Sequence, residues 1–401
     1  MSSTNHTLIE TLAADRDGMV DLTRDLIAIP TENPPGAHYR DALDLLTTRL
    51  EALGFDDTRI EGDCLVSFVG RGKRTLYFSG HYDVVPAQRR DQFTPRLHGK
   101  TIVGRGSSDM KSGLVAMTYA ARALRELDML GDGRIGLVFV PDEETSGPRG
   151  SRDLLARGVL GTDGIGMLTP EPTGGIVWNA NRGAITLRIT ARGKTAHVGR
   201  QHEGVNAFQG MLAVAQALLE LKHEVEAHTT DFHIAPDVAR RSILLLGGRT
   251  EGGTNFNVVP DECWFTVDRR LNPEEDLEVE KQRLFDVIDR AGGPATIEVE
   301  VIQEGRASGS DERGPVGRAL AESIVDVTGR PARFEMCPGL LEIRFYAERG
   351  VPAFAYGPGL LTVSHGPDEF VPIDRIVECA QIYALSAFRL LDERWGMRDE
   401  G

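Results

Sequence analysis

The sequence predicts an α/β protein in which helices cover both faces of a central sheet, and an α+β unit is inserted into the larger domain. Three observations carry this prediction. Short, near-continuous apolar runs alternate with helical patterns, as a sheet buried on both faces requires. The 401 residues exceed the size at which one hydrophobic core usually keeps growing. Between about Arg182 and Ile302 the order of elements changes to a self-contained pattern.

Taken in order, the polar start MSSTNHTLIETLAADRDG lacks the basic and apolar regions of a signal peptide. Helical periodicity covers Ala42 to Leu53, and strand-like runs follow at Thr75 to Ser79 and Ile135 to Val140. Further helical patterns lie at Leu114 to Leu127 and Ser151 to Arg157. The changed region reads as a strand (Ala184 to Thr190), a long helix (about Val205 to Leu221) and two strands (Ser242 to Leu246, Cys263 to Val267). A second helix (about Pro273 to Arg290) and a last strand (Thr296 to Val301) complete it. Glycine-rich joints near Gly174-Gly175 and Gly292-Gly293 flank it. The expected division is a larger domain of residues 1–181 and 303–401, with residues 182–302 as an α+β domain inserted into it.

Hydrophobic residues make up 41% and charged residues 26%, ordinary values for a globular protein. A formal net charge of -15 and the lack of a Lys/Arg run argue against a nucleic acid or an anionic membrane as partner. No apolar stretch reaches the roughly 20 residues that a membrane-spanning helix needs. Four cysteines, Cys64, Cys263, Cys337 and Cys379, are widely spaced without a CxxC pair and read as packing residues. A cytoplasmic location is the expectation.

The chemistry sits in loops after the strands, where α/β sheets place ligands. In Ser79-Gly-His81-Tyr-Asp83, a continuing strand would put His81 and Asp83 on one face, the pairing of a metal-ligating histidine with an orienting carboxylate. A hydrogen-bonded loop histidine is the plainer alternative. Gly104-Arg-Gly106-Ser-Ser-Asp109-Met-Lys111 enters a helix but lacks the spacing of a phosphate loop, so Asp109 reads as an anionic ligand on a tight turn or as a helix cap. Pro141-Asp142-Glu143-Glu144 ends a strand with three carboxylates, which is either a solvated acidic turn or a cluster that a cation would stabilise. Glu171 in Pro170-Glu171-Pro172 and His365 in Ser364-His365-Gly-Pro-Asp-Glu369 complete a set of nitrogen and oxygen donors that Zn²⁺ or a similar ion accepts. A bridging carboxylate would hold two ions about 3.5 to 4 Å apart.

In their order these motifs resemble the M20 metallopeptidase family, which includes acetylornithine deacetylase, succinyl-diaminopimelate desuccinylase and glutamate carboxypeptidase. The likeness begins at Ile29-Pro-Thr31-Glu-Asn33-Pro-Pro-Gly36 and passes through GHYDVVP, GRGSSDMKSG, PDEET, PEPT and GKTAH to YGPG and SHGPDE. It implies His81 and Glu171 on one metal, Glu144 and His365 on the other, and Asp109 between them, with zinc as the ion and cobalt or manganese as alternatives. It further implies that Asp83 orients His81 and that Glu143 is the general base. His197 would reach the substrate from the partner subunit of a homodimer. Asn257, Arg270 and Arg344 match polar positions near the substrate, with Arg269 as an alternative to Arg270. The segment Leu340-Leu341-Glu342-Ile343-Arg344 departs from the family's frequent Gly-(Thr/Ser)-Asp-x-Arg, so the specificity stays open. The two leucines read as pocket-lining or packing residues.

The activity expected is hydrolysis of the amide of an N-acyl amino acid or related small substrate. The alternatives are a dipeptidase or carboxypeptidase, a hydrolytic deaminase of a non-peptide substrate and, last, a non-catalytic binding protein on the same fold.

Overall fold

The apolar run that ends in His81 forms the strand Arg74–His81, with seven of its eight residues buried. Successive side chains of a strand point to opposite faces, so burial along its whole length means that both faces are covered. The computed structural model describes residues 3–160, 163–291 and 293–391. The chain divides into a unit of Met1–Asn179, Ser310–Phe334 and Glu342–Gly401 and a unit of Ala180–Gly309 and Glu335–Leu341.

In the first unit the strands lie in the order Asp57–Glu61, Cys64–Val69, Gly133–Val140, Arg74–His81, Gly164–Thr169, Ala353–Ala355, Val177–Asn181. Four of them, Gly133–Val140 through Ala353–Ala355 in that order, run parallel to one another. The neighbours at either side are antiparallel. The register sets His81 opposite Val140, so the loops carrying Asp83, Glu143, Glu144 and Glu171 leave from the carboxyl ends of adjacent parallel strands.

Helix Lys111–Glu126 is buried along most of its length, and its small residues Gly113, Ala116, Ala120, Ala121 and Ala123 permit close packing. Ile373–Leu391 is also mostly buried. With Arg16–Ala28, Tyr39–Ala52 and Pro315–Thr328 these helices form one apolar core with the sheet. Pro315 opens the last of these and Gly329, at φ 69°, closes it, each residue suited to the backbone at its end.

The second unit is a four-stranded antiparallel sheet in the order Ile243–Gly252, Glu262–Leu271, Gly183–Arg192, Thr296–Gly305. Ile185, Leu187 and Ile189 pack with Val214, Leu218 and Leu221 of helix Ala207–Val225 and with Leu284 and Ile288 of helix Leu277–Arg290. Both helices begin later than the apolar periodicity suggests. The Asn206 side chain accepts from the Gln209 amide, and Asp276 accepts from the amides of Glu278 and Val279, which sets each first turn.

Gly174, Gly175 and Gly293, expected as joints, lie in connections inside the units. Gly174 and Gly175, at φ 63° and 90°, connect Gly164–Thr169 to Val177–Asn181, and Gly293 lies between helix Leu277–Arg290 and strand Thr296–Gly305. Gly292 lies outside the described residues. All four cysteines are buried, and no disulfide joins them among the described residues. Among the described residues no helix is long and apolar enough to cross a membrane.

Candidate metal centre

The Arg74–His81 strand stops at His81, so Asp83 reaches the histidine from the following loop and not along a shared strand face. His81 Nδ1 lies 3.0 Å from the Asp83 carbonyl oxygen and 3.3 Å from its carboxylate. Donation from Nδ1 leaves Nε2 as the ligating nitrogen. That nitrogen faces Asp109 Oδ1 at 3.2 Å and Glu143 at 3.9 Å.

Asp83 is fully buried and carries several donors. Asn33 Nδ2 donates to it at 2.9 Å, and the Glu143 and Glu144 amides approach at 3.4 and 3.3 Å. The carboxylate that orients His81 therefore also shapes the acidic turn. Asp142, at φ 66°, accepts from Tyr39 and from the Arg149 backbone and guanidinium. The three consecutive acids are thereby separated, with Asp142 engaged by Arg149 and Tyr39, and Glu143 and Glu144 grouped with the histidines.

Asp109 precedes helix Lys111–Glu126 without capping it, since Met110 occupies the cap position. Its Oδ1 faces His81, and its Oδ2 lies 3.4 Å from His365 Nε2, which is itself 3.2 Å from Glu144 Oε2. Two groups result, His81 with Asp109 and Glu171, and Asp109 with Glu144 and His365, the donor atoms within each lying within 4.8 Å of one another. Glu171 Oε1 is buried and has no hydrogen-bond partner among the described residues. An orphaned carboxylate oxygen is costly in the interior, and a cation beside it would remove that cost. The imidazole and carboxylate donors fit divalent zinc, cobalt or manganese.

The electrostatics agree with a cation-binding site. Burial, followed by the charges of Glu144, Glu342 and Asp109, pushes Glu143 up to about 8, against the opposing effect of His81. Burial likewise raises Glu144, and it raises Glu171 well above the usual carboxylate range. His365 is lifted to about 10 by its contacts with Asp109 and Glu144. Burial would lower His81, but Asp109 and Asp83 overcome that and raise it. For Asp109 burial acts upward, and the hydrogen bonds to His365 and His81 hold it below its ordinary value. So many acids competing for protons favour positive charge at this place.

Close backbone approaches hold the loops together. A side chain at Gly357 would meet the Glu171 and Pro170 carbonyl oxygens at 2.3 Å, and one at Gly359 would meet the Ser108 carbonyl oxygen at 2.1 Å. These glycines account for the YGPG motif. Asn33, Arg105 and Glu369 belong to the same assembly, though the residue types alone give them no role.

Arg344 is buried in the first unit near Glu342, whose carboxylate accepts from Ser151 Oγ at 2.8 Å. Leu341 is buried and Leu340 half-buried. The remaining candidates lie in the second unit. His197 is exposed on the short strand Ala196–His197, paired with Val258–Val259, and its Nδ1 accepts from the Gly199 amide at 3.1 Å. Asn257 is its neighbour, its carbonyl accepting from the Val198 amide at 2.9 Å. Arg270 donates to Asp268 at 2.6 and 2.9 Å. Arg269, the alternative, is buried in an ion pair with Glu275 and, at 2.8 Å, with Glu280.

The model of peptidase family M20/M25/M40 matches residues 77–389. A succinyl-diaminopimelate desuccinylase of Bordetella petrii is 30% identical over 388 residues, covering 92% of this chain and 97% of that protein. Among solved structures, the M20 family metallo-carboxypeptidase Sso-CP2 from Sulfolobus solfataricus superposes with a TM-score of 0.77 at 16% identity, covering 93% of this chain and 99% of its own. The di-peptidase Dug1p from Saccharomyces cerevisiae gives 0.75 at 16% identity, with coverage of 98% and 100%.

Proposed function

We propose that this chain, which belongs to peptidase family M20/M25/M40 and is a metal-dependent amide hydrolase, removes the acyl group from a small N-acylated amino acid. The carrying observation is the pair of donor groups that share Asp109. The desuccinylase activity named for the Bordetella petrii relative supports an acyl amide as the bond cut. His81, Asp109 and Glu171 hold one divalent ion, and Asp109, Glu144 and His365 hold the other, zinc being our choice for this donor set. When bound, two such ions lower the pKa of water towards about 7 and polarise the scissile carbonyl.

Asp83 fixes the tautomer of His81, with Asn33 behind it. Glu143 lies 3.9 Å from His81 Nε2, beside the donor group of His81, Asp109 and Glu171. It takes a proton from the attacking water and passes it to the departing nitrogen. Arg344, Arg270 and Asn257 serve recognition of the substrate's polar groups. His197 acts from the partner subunit of a homodimer. The dimer reading is supported by Phe208, Leu212 and Leu219 of helix Ala207–Val225 and by Ile243 and Leu245 of the edge strand Ile243–Gly252, large apolar side chains left exposed on the second unit.

The test is amine release from N-succinyl and N-acetyl amino acids and from dipeptides, using chelated enzyme restored with Zn²⁺, Co²⁺ or Mn²⁺. Metal-restored turnover of an N-acyl substrate is expected. Glu143→Gln should lower kcat by about 10²- to 10⁴-fold while metal content stays unchanged. Wild-type kcat in that variant would remove Glu143 from its role, and turnover of dipeptides alone would replace the deacylase reading with a peptidase.

A further inference from the structure

We infer that Arg105 and Glu369 are positioning residues that clamp the loop carrying Asp109 to the loop carrying His365, and so set the Glu144 and His365 side of the metal centre. The inference rests on the metal-binding role proposed above. Each of the two residues is 1% exposed, and Arg105 Nη1 donates to Glu369 Oε2 at 2.6 Å. A buried ion pair is weak evidence of a stabilising role, because well-packed apolar residues often serve as well. What distinguishes this pair is where its remaining hydrogen bonds go.

Glu369 Oε2 also accepts from the Gly106 amide at 3.0 Å, and its Oε1 accepts from the amides of Ser108 and Asp109 at 2.8 and 3.0 Å. Three backbone amides of one turn thus converge on a single carboxylate, the last belonging to the shared ligand. Arg105 works in the opposite direction. Its Nη2 donates to the His365 carbonyl oxygen at 3.2 Å and to Gln88 Oε1 at 2.9 Å, and its Nη1 lies 3.4 Å from the Gly366 carbonyl oxygen. Gln88 Nε2 donates to the same His365 carbonyl oxygen at 2.9 Å.

His365 needs this support more than the other ligands do. Its backbone sits at φ 64°, a region that side chains disfavour, and its side chain is half-exposed. His81, in contrast, is fixed at the end of a buried strand, and Glu171 follows another. The clamp therefore holds one subsite more than the other, and groups behind the ligands commonly change metal affinity by about 10- to 100-fold.

The experiment is calorimetric titration of the chelator-stripped full chain with Zn²⁺, repeated with Co²⁺ while its visible spectrum is followed. The proteins are wild type, Glu369→Gln, Arg105→Lys and Gln88→Ala. We expect two binding steps in the wild type. In Glu369→Gln and Arg105→Lys the tighter step should stay within a few-fold, and the weaker should lose about 10- to 100-fold with an altered Co²⁺ spectrum. Gln88 is exposed, so Gln88→Ala should fold normally, and it should shift the weaker step in the same direction by less. If Glu369→Gln fails to fold, the other two variants read the same step. An unchanged weaker step in the folded variants, or an equal loss in both steps, would overturn the clamp. A wild type that binds no metal would overturn the metal reading itself, and the clamp with it.

Discussion

Asp83 has no ligand position of its own, yet it receives Asn33, meets His81 and sits behind the Glu143 and Glu144 amides. Asn33→Ala removes a side-chain donor from that carboxylate and leaves His81 and the two backbone amides in place. The expected outcome is a fall of about 10- to 100-fold in metal affinity or kcat, with the fold retained, measured by zinc titration and by turnover at saturating metal. Unchanged values for both would show that the two backbone amides hold Asp83 without help. His81, Asp109, Glu143, Glu144, Glu171 and His365 were legible as candidates because each is a charged or imidazole residue in or beside a Gly- or Pro-containing loop. Asn33 and the Arg105–Glu369 pair lie inside the quoted motifs but had no role legible there, since their partners lie 50 and 264 residues away.

The strand Glu262–Leu271 alternates Cys263, Phe265 and Val267 toward the helices, and the same period carries Arg269 inward beside Leu271. The period of two thus contained the signal that separates Arg269 from the more open Arg270. Arg269→Met leaves the half-buried Glu275 and the buried Glu280 without the guanidinium they share, which should cost about 3–5 kcal/mol in urea unfolding at neutral pH. The pH dependence has a definite sign. Burial alone would raise Glu275, but Arg269, the Asn272 amide and Ser242 hold it below the ordinary value of 4.5. Its stabilisation is therefore present above that value and lost as pH falls through the lower folded value. The gap between wild type and Arg269→Met should narrow below pH 4.5, and a constant gap would disprove the linkage. Helix starts were the least legible part of the elements, because Asn206 and Asp276, not the apolar periodicity, fix where the first turns begin.

At the scale of the molecule, the change from long buried strands to an alternating sheet made the second unit visible, whereas Gly174-Gly175 misled because positive φ serves turns inside a unit as well as between units. Phe208 and Leu212, one turn apart on helix Ala207–Val225 and about half exposed at 50% and 52%, carry the proposed dimer contact. Phe208→Glu with Leu212→Glu should convert the dimer to a folded monomer in sedimentation velocity, with metal content intact. If the monomer kept full activity, His197 would have no role across subunits. One feature of the first sheet reaches into the biosynthesis of the chain. The strand Ala353–Ala355 lies between Gly164–Thr169 and Val177–Asn181, so an interior place in the sheet is filled by residues translated late. At about 5–20 residues per second, the ribosome reaches it on the order of 10 to 40 s after Thr169. For that interval the nascent chain carries an open seam of unpaired backbone, and a polypeptide truncated before Ala353 keeps it. Such fragments should depend on chaperones and aggregate when released, whereas the completed chain closes the seam itself.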